Sequence, residues 1–224
     1  MWRSLFNQNA VENFKNTKST ERKFVCYRFS SHGEPPKVVK SFLVFQSPGL
    51  LHSEGGGLRN HFAFKLFYKN NVNNIRRSAG AVLHLGNTIT CYGSSRIVEP
   101  GAEPKHQDAV SEDRRPKSLV FEAPDSSDRM LFGVMMSMNE ESIPIASRII
   151  AIETRHKNSM DAGIGSIDPS GMALEFAEVA SFAHRIVSPE RAEKGWADLV
   201  ALLKADVLAG TLITPQDFQR RGLY

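Results

Sequence analysis

The chain has 224 residues, 41% of them hydrophobic and 23% charged, with a formal net charge of +4. That balance excludes global disorder and fibrous repeats, and the length suits one folded core. The basic residues are scattered in pairs such as Arg76-Arg77, Arg114-Arg115 and Arg220-Arg221, so nucleic-acid contact is permitted but not signalled.

Residues 1–22 are polar, with Leu5, Phe6, Val11 and Phe14 as scattered anchors, and predict an N-terminal arm or short helix. From Lys23 the texture changes. Phe24–Phe29 and Val38–Phe45 are rich in β-branched and aromatic residues and flank the turn-forming His32-Gly33-Glu34-Pro35-Pro36, which predicts two paired strands. After the glycine-rich loop that ends at Gly55-Gly56-Gly57, His61–Tyr68 reads as a third strand. Ser78–Leu85 and Thr88–Tyr92 flank Gly86-Asn87, the spacing of a tight two-residue hairpin. Residues 94–117 are dense in Pro and charge and predict a long exposed connection. Strand texture returns at Ser118–Glu122, Met130–Met138 and Ile143–Thr154.

Helical periodicity comes last. Phe176, Val179, Ala180 and Ala183 recur at i, i+3, i+4 and i+7 within Met172–Ile186. Ser188-Pro189 supplies an N-cap and a first-turn proline for a helix whose buried stripe is Trp196, Leu199, Val200, Leu203 and Val207, ended by Gly210. Thr214-Pro215 opens a last short helix. The predicted fold is α+β: an antiparallel β-sheet or partly closed barrel of about eight strands followed by two or three C-terminal helices. Its parts are the arm at 1–22, a β domain over 23–155 and a helical region over 156–224 packed on the sheet.

No apolar run approaches the ~20 residues that span a bilayer, and the N-terminus has no signal-peptide core. A cytoplasmic protein without membrane contact is expected, with Cys26 and Cys91 packing as small hydrophobes in a reducing compartment.

The chemistry is sparse. The seven histidines form no His-x-x-x-His pair, so no metal site is signalled. No Gly-x-Ser-x-Gly elbow, phosphate-binding glycine loop or dinucleotide fingerprint is present, so no cofactor is expected and no catalytic residue is assigned. Arg76 and Arg77 stand at the mouth of a strand, with Arg96 after its hairpin partner and Arg148 in a later one. Guanidinium forks match carboxylate and phosphate, so Arg76, Arg77 and Arg148, with His84 and Tyr68, are the candidate ligand-binding residues. The commoner fate of such arginines is a solvated sheet edge.

The early strands carry rings on both faces, among them Phe24, Tyr27, Phe42, Phe45, Phe64 and Phe67, and one core needs only one face. The surplus face calls for a cover: the C-terminal helices, a partner chain or an apolar ligand. A non-enzymatic ligand-sensing or regulatory module, binding a small molecule, an anion or a protein partner, is the leading expectation. The alternatives are an enzyme built around His84, Arg77 and a carboxylate such as Glu122, and a homodimer using a strand edge or the Trp196 helix.

The succession Phe24-Val25-Cys26-Tyr27-Arg28-Phe29-Ser30-Ser31, Phe67-Tyr68, Arg77-Ser78-Ala79-Gly80-Ala81-Val82, Tyr92-Gly93 and Ile145-Ala146-Ser147-Arg148-Ile149-Ile150 resembles the strand-rich sensor or effector portion of bacterial helix-turn-helix transcriptional regulators. The likeness covers residues 23–155. The 22 residues before Lys23 are too few for a helix-turn-helix, so the resemblance implies a sensing role, does not carry DNA binding over and transfers no functional residue.

Overall fold

A computed structural model describes residues 21–30, 37–46, 62–70, 73–85, 88–98, 115–122, 129–138, 144–171, 175–176, 178–179 and 188–204. Eight strands follow one another: β1 (Glu21–Phe29), β2 (Val38–Gln46), β3 (Phe62–Lys69), β4 (Ile75–Leu85), β5 (Thr88–Ile97), β6 (Arg115–Glu122), β7 (Met130–Met138) and β8 (Pro144–Glu153). Each pairs antiparallel with the next, and β1 pairs with both β2 and β8, so the sheet closes on itself. A short β9 (Gly165–Ile167) adds to β2 at Val38–Lys40, beside the part of β2 that pairs with β3. Among the described residues one complete helix follows, α1 (Pro189–Lys204), after a 3-10 turn at Pro169–Gly171.

The α+β expectation is therefore corrected. The fold is mainly β, a closed barrel with one extra strand. Among the described residues it has one complete helix where two or three were expected. Closure has a physical reason in β1. Phe24 and Cys26 alternate with Val25 and Tyr27, and all four are fully buried, so the strand must be covered on both faces. Pairing both of its backbone edges leaves no exposed edge to template association. The seam is fastened by Arg22, whose Nε and Nη2 donate to the two carboxylate oxygens of Glu153 at 3.1 and 3.4 Å, and by Thr154 N, which donates to the Lys23 carbonyl at 2.9 Å.

Of the exposed connection expected over 94–117, residues 94–97 and 115–117 are strand instead, because β5 continues through Ile97 and β6 begins at Arg115, and residues 99–114 lie outside the described residues. Leu85 and Thr88 are in register across the two-residue link. Of the predicted 172–186 helix, residues 175–176 and 178–179 are helical, with Phe176 and Val179 buried. The remainder of that helix, most of the N-terminal arm and the segment opened by Thr214 lie outside the described residues.

Strand alternation sorts the apolar residues into two cores. Phe24, Leu43, Phe64, Leu66, Cys91, Leu119, Phe121 and Ile149 fill the barrel. Val25, Tyr27, Phe42, Phe132, Ile150 and Ile152 lie on the outer surface of β1, β2, β7 and β8, where Phe176, Trp196, Leu199 and Leu203 cover them. The surplus aromatic face is thus covered by the chain itself. Tyr27 stacks edge-on against Trp196 at 5.7 Å and Phe176 at 6.2 Å, and Trp196 Nε1 donates to the Pro169 carbonyl. The predicted cap holds: Ser188 Oγ accepts from Arg191 N at 3.2 Å. Close backbone approach occurs where Gly80 faces Gly93. A Cβ on either would overlap a carbonyl oxygen of the opposite strand, so both positions require glycine.

Candidate functional site: the cationic end of the barrel

The interior is polarised along its axis. At one end β1, β2, β3 and β6 contribute Phe24, Leu43, Phe64 and Phe121. At the other, the same inward alternation runs out into charge and hydroxyl. Beyond Phe24 and Cys26 comes Arg28; beyond Phe64 and Leu66 comes Tyr68; Val82 and Gly80 lead back to Ser78 and Arg76; Cys91 and Gly93 lead to Ser95; Phe121 and Leu119 lead back to Lys117 and Arg115. Antiparallel pairing brings these strand ends together, which makes the cluster a consequence of register.

Within it, Arg76 is 2% exposed, Lys117 4%, and Ser78 and Ser95 fully buried. Tyr68 Oη and Ser95 Oγ share a hydrogen bond of 2.8 Å, and Arg76 Nη1 donates to the same Ser95 Oγ at 3.3 Å. Lys117 Nζ sits 4.3 Å from the centroid of the Tyr68 ring and donates to Met135 Sδ at 3.7 Å. Burial pushes the Lys117 ammonium well below the ordinary lysine range, and the neighbouring Arg28, Arg76 and Arg115 push it further. Burial also lowers Arg28, which donates from Nη1 to its neighbouring Phe29 carbonyl at 3.0 Å. Ser78 Oγ is buried with no hydrogen-bond partner among the described residues.

Among the described residues no carboxylate pairs with Lys117 or Arg28. The inward-register carboxylate, Glu153, stands at the opposite end against Arg22. Holding Lys117 and Arg28 at this end of the barrel with no described carboxylate beside them carries a desolvation cost. Compared with protein-family models, curated proteins and solved structures, the chain matches none.

The structure brings together two of the five predicted ligand-binding residues, Tyr68 and Arg76, joined through Ser95. Arg77 alternates to the outer face, in register with Phe67 and Arg96. Arg148 is also on the outer side, buried beneath α1, where Nη1 donates to the Leu202 carbonyl at 3.1 Å and caps the last turn. His84 is in register with Ile89, and its side chain lies outside the described residues. The alternative catalytic set is not assembled: Arg77 stands at the cationic end while Glu122 pairs with Thr88 at the other, about 25 Å along the strand direction. Trp196, offered as a dimer contact, is 4% exposed and packed on the barrel.

Lys117 and Arg28 escaped notice in the sequence. Lys117 falls inside the stretch 94–117 that its charge marks as a loop, and Arg28 ends an aromatic strand. A signal was present: the period-two series Arg115, Lys117, Leu119, Phe121 passes from basic to apolar and Phe24, Cys26, Arg28 from apolar to basic. Laid antiparallel, they put their basic ends together.

Proposed function

We propose that this chain is a ligand-binding barrel that receives an anionic group in its cationic end, as a sensing or regulatory module. The observation that carries this reading is Lys117, buried with Arg76 beside the half-buried Arg28, in a cluster that has an orphan hydroxyl at Ser78 and no carboxylate partner for Lys117 or Arg28 among the described residues. Eight-stranded barrels have interiors just wide enough for side chains or one small ligand, which suits a small guest at a mouth. The role agrees with the sensing function implied by the resemblance to regulator effector portions. Lys65, Arg77, Ser94 and Arg96 on the outward register of β3–β5 support a barrel that faces water, since such residues are costly against hydrocarbon.

Thermal unfolding of the full chain against a panel of small anions at constant ionic strength tests this. A ligand at about ten times its Kd contributes about 1.4 kcal/mol, a rise of about 3–5 °C in Tm for a chain of this size. At least one anion is expected to give that rise in the wild type and not in Lys117→Met. A flat response to every anion would remove the reading.

A further inference from the structure

We infer that the guest is a doubly charged oxyanion, of the kind presented by a phosphate monoester or by free phosphate or sulfate, and that Lys117 is the residue that selects for its second charge. This rests on the anion-binding reading above and goes further by fixing the charge and shape of the ligand.

Two independent counts lead there. The first is charge. Lys117 and Arg28 are two cations of the cluster with no carboxylate partner among the described residues, and burial depresses both. A monocarboxylate would leave one of them uncompensated in a closed interior, whereas a dianion balances both. The second count is of donors. Lys117 offers three N–H bonds, of which one is directed at a thioether, and Arg28 offers five, of which Nη1 serves the Phe29 carbonyl. Ser78 adds a buried hydroxyl with no partner among the described residues, in register with Ser95, where Arg76 and Tyr68 already converge. A tetrahedral oxyanion presents three or four acceptor oxygens to such a surround, a planar carboxylate two. Further along the axis Leu119 and Met135 are fully packed, so the charged group sits at the level of Lys117 and Ser78, near the mouth.

The experiment is isothermal titration and thermal unfolding of the full chain at pH 7.5, with ionic strength held constant. The probes are inorganic phosphate, sulfate, phenyl phosphate, acetate and nitrate. The dianions are expected to bind at least tenfold more tightly than acetate or nitrate and to raise Tm. Phenyl phosphate against inorganic phosphate separates a monoester ligand from the free ion. Lys117→Met is expected to remove the preference for dianions, and Lys117→Arg to restore it. Arg28→Met serves as the second probe should Lys117→Met fail to fold, with the same loss expected. Acetate binding as tightly as phosphate would overturn the inference while leaving the anion-binding reading in place. Binding by none of the probes would overturn both. Dianion binding unchanged in every variant would place the anion elsewhere and overturn the inference.

Discussion

Lys40 shows how one residue can work against the fold that contains it. It stands on the outer face of β2, 1% exposed, in register with Tyr27, and makes an ion pair with Glu175, which is 44% exposed. Burial pushes its ammonium down to about 8, outweighing the attraction of Glu178. The unfolded chain therefore holds a proton that the folded chain has lost between about pH 8 and the ordinary lysine value of 10.5, so stability rises with pH across that window. An ion pair whose acid remains in water recovers little of the desolvation cost of its base. Lys40→Met should accordingly leave stability at pH 7 unchanged or raise it by about 1 kcal/mol, and should reduce the gain between pH 8 and 10. Urea unfolding at pH 7 and at pH 10 reads both quantities. A loss above about 2 kcal/mol at pH 7 would instead mean that the Lys40–Glu175 pair holds the helical segment to the barrel.

At the scale of elements, local chemistry was legible and long-range pairing was not. All eight apolar stretches fall on strands, because β-branched and aromatic runs bounded by Gly, Pro and Asn state their own limits. Where runs ended in charge the limits moved: Arg115, Pro116 and Lys117 join β6, and Ser94–Ile97 join β5, since barrel partners extend strands that composition alone would stop. β9 has three residues and no pattern of its own; it exists through its pairing with β2. Helix α1 was legible for the opposite reason, its Ser188 cap and apolar stripe being local. The docking of that stripe makes a definite claim. Trp196 contacts both Tyr27 and Phe176, with a ring separation of 5.6 Å to the latter, and anchors the helix on β1. Trp196→Ala should cost about 3–5 kcal/mol, the usual loss for a large buried aromatic, and Trp196→Phe markedly less. Circular dichroism during urea unfolding measures the difference. A cost below about 1 kcal/mol would show that α1 contributes little to the barrel's stability.

The whole molecule's response to alkali is a sum in which groups of opposite sign compete. Lys40 and Lys117 lose protons more easily in the folded state, and their contribution rises with pH until the unfolded lysine value is passed. Cys26, Cys91 and Tyr27 behave in the reverse sense: complete or nearly complete burial raises all three above their ordinary values, so the folded chain keeps protons that the unfolded chain releases above about pH 9 for the thiols and 10 for the phenol. Each group contributes about 1.4 kcal/mol per pH unit within its window. Two lysines against two thiols give a plateau between pH 9 and 10. Past 10.5 the lysine gain stops and three acids remain, for a fall of about 4 kcal/mol per pH unit. A domain with about 5–15 kcal/mol of stability should then unfold within a few pH units of the plateau. Replacing both Cys26 and Cys91 by Ala should cut the steep alkaline slope to about one third, leaving Tyr27 alone, at the cost of some packing inside the barrel. Urea midpoints taken every half unit from pH 8 to 11.5, in reductant, give the slope directly. An unchanged slope in the double variant would mean that the two thiols ionise in the folded state, which their place in a closed, apolar barrel end forbids.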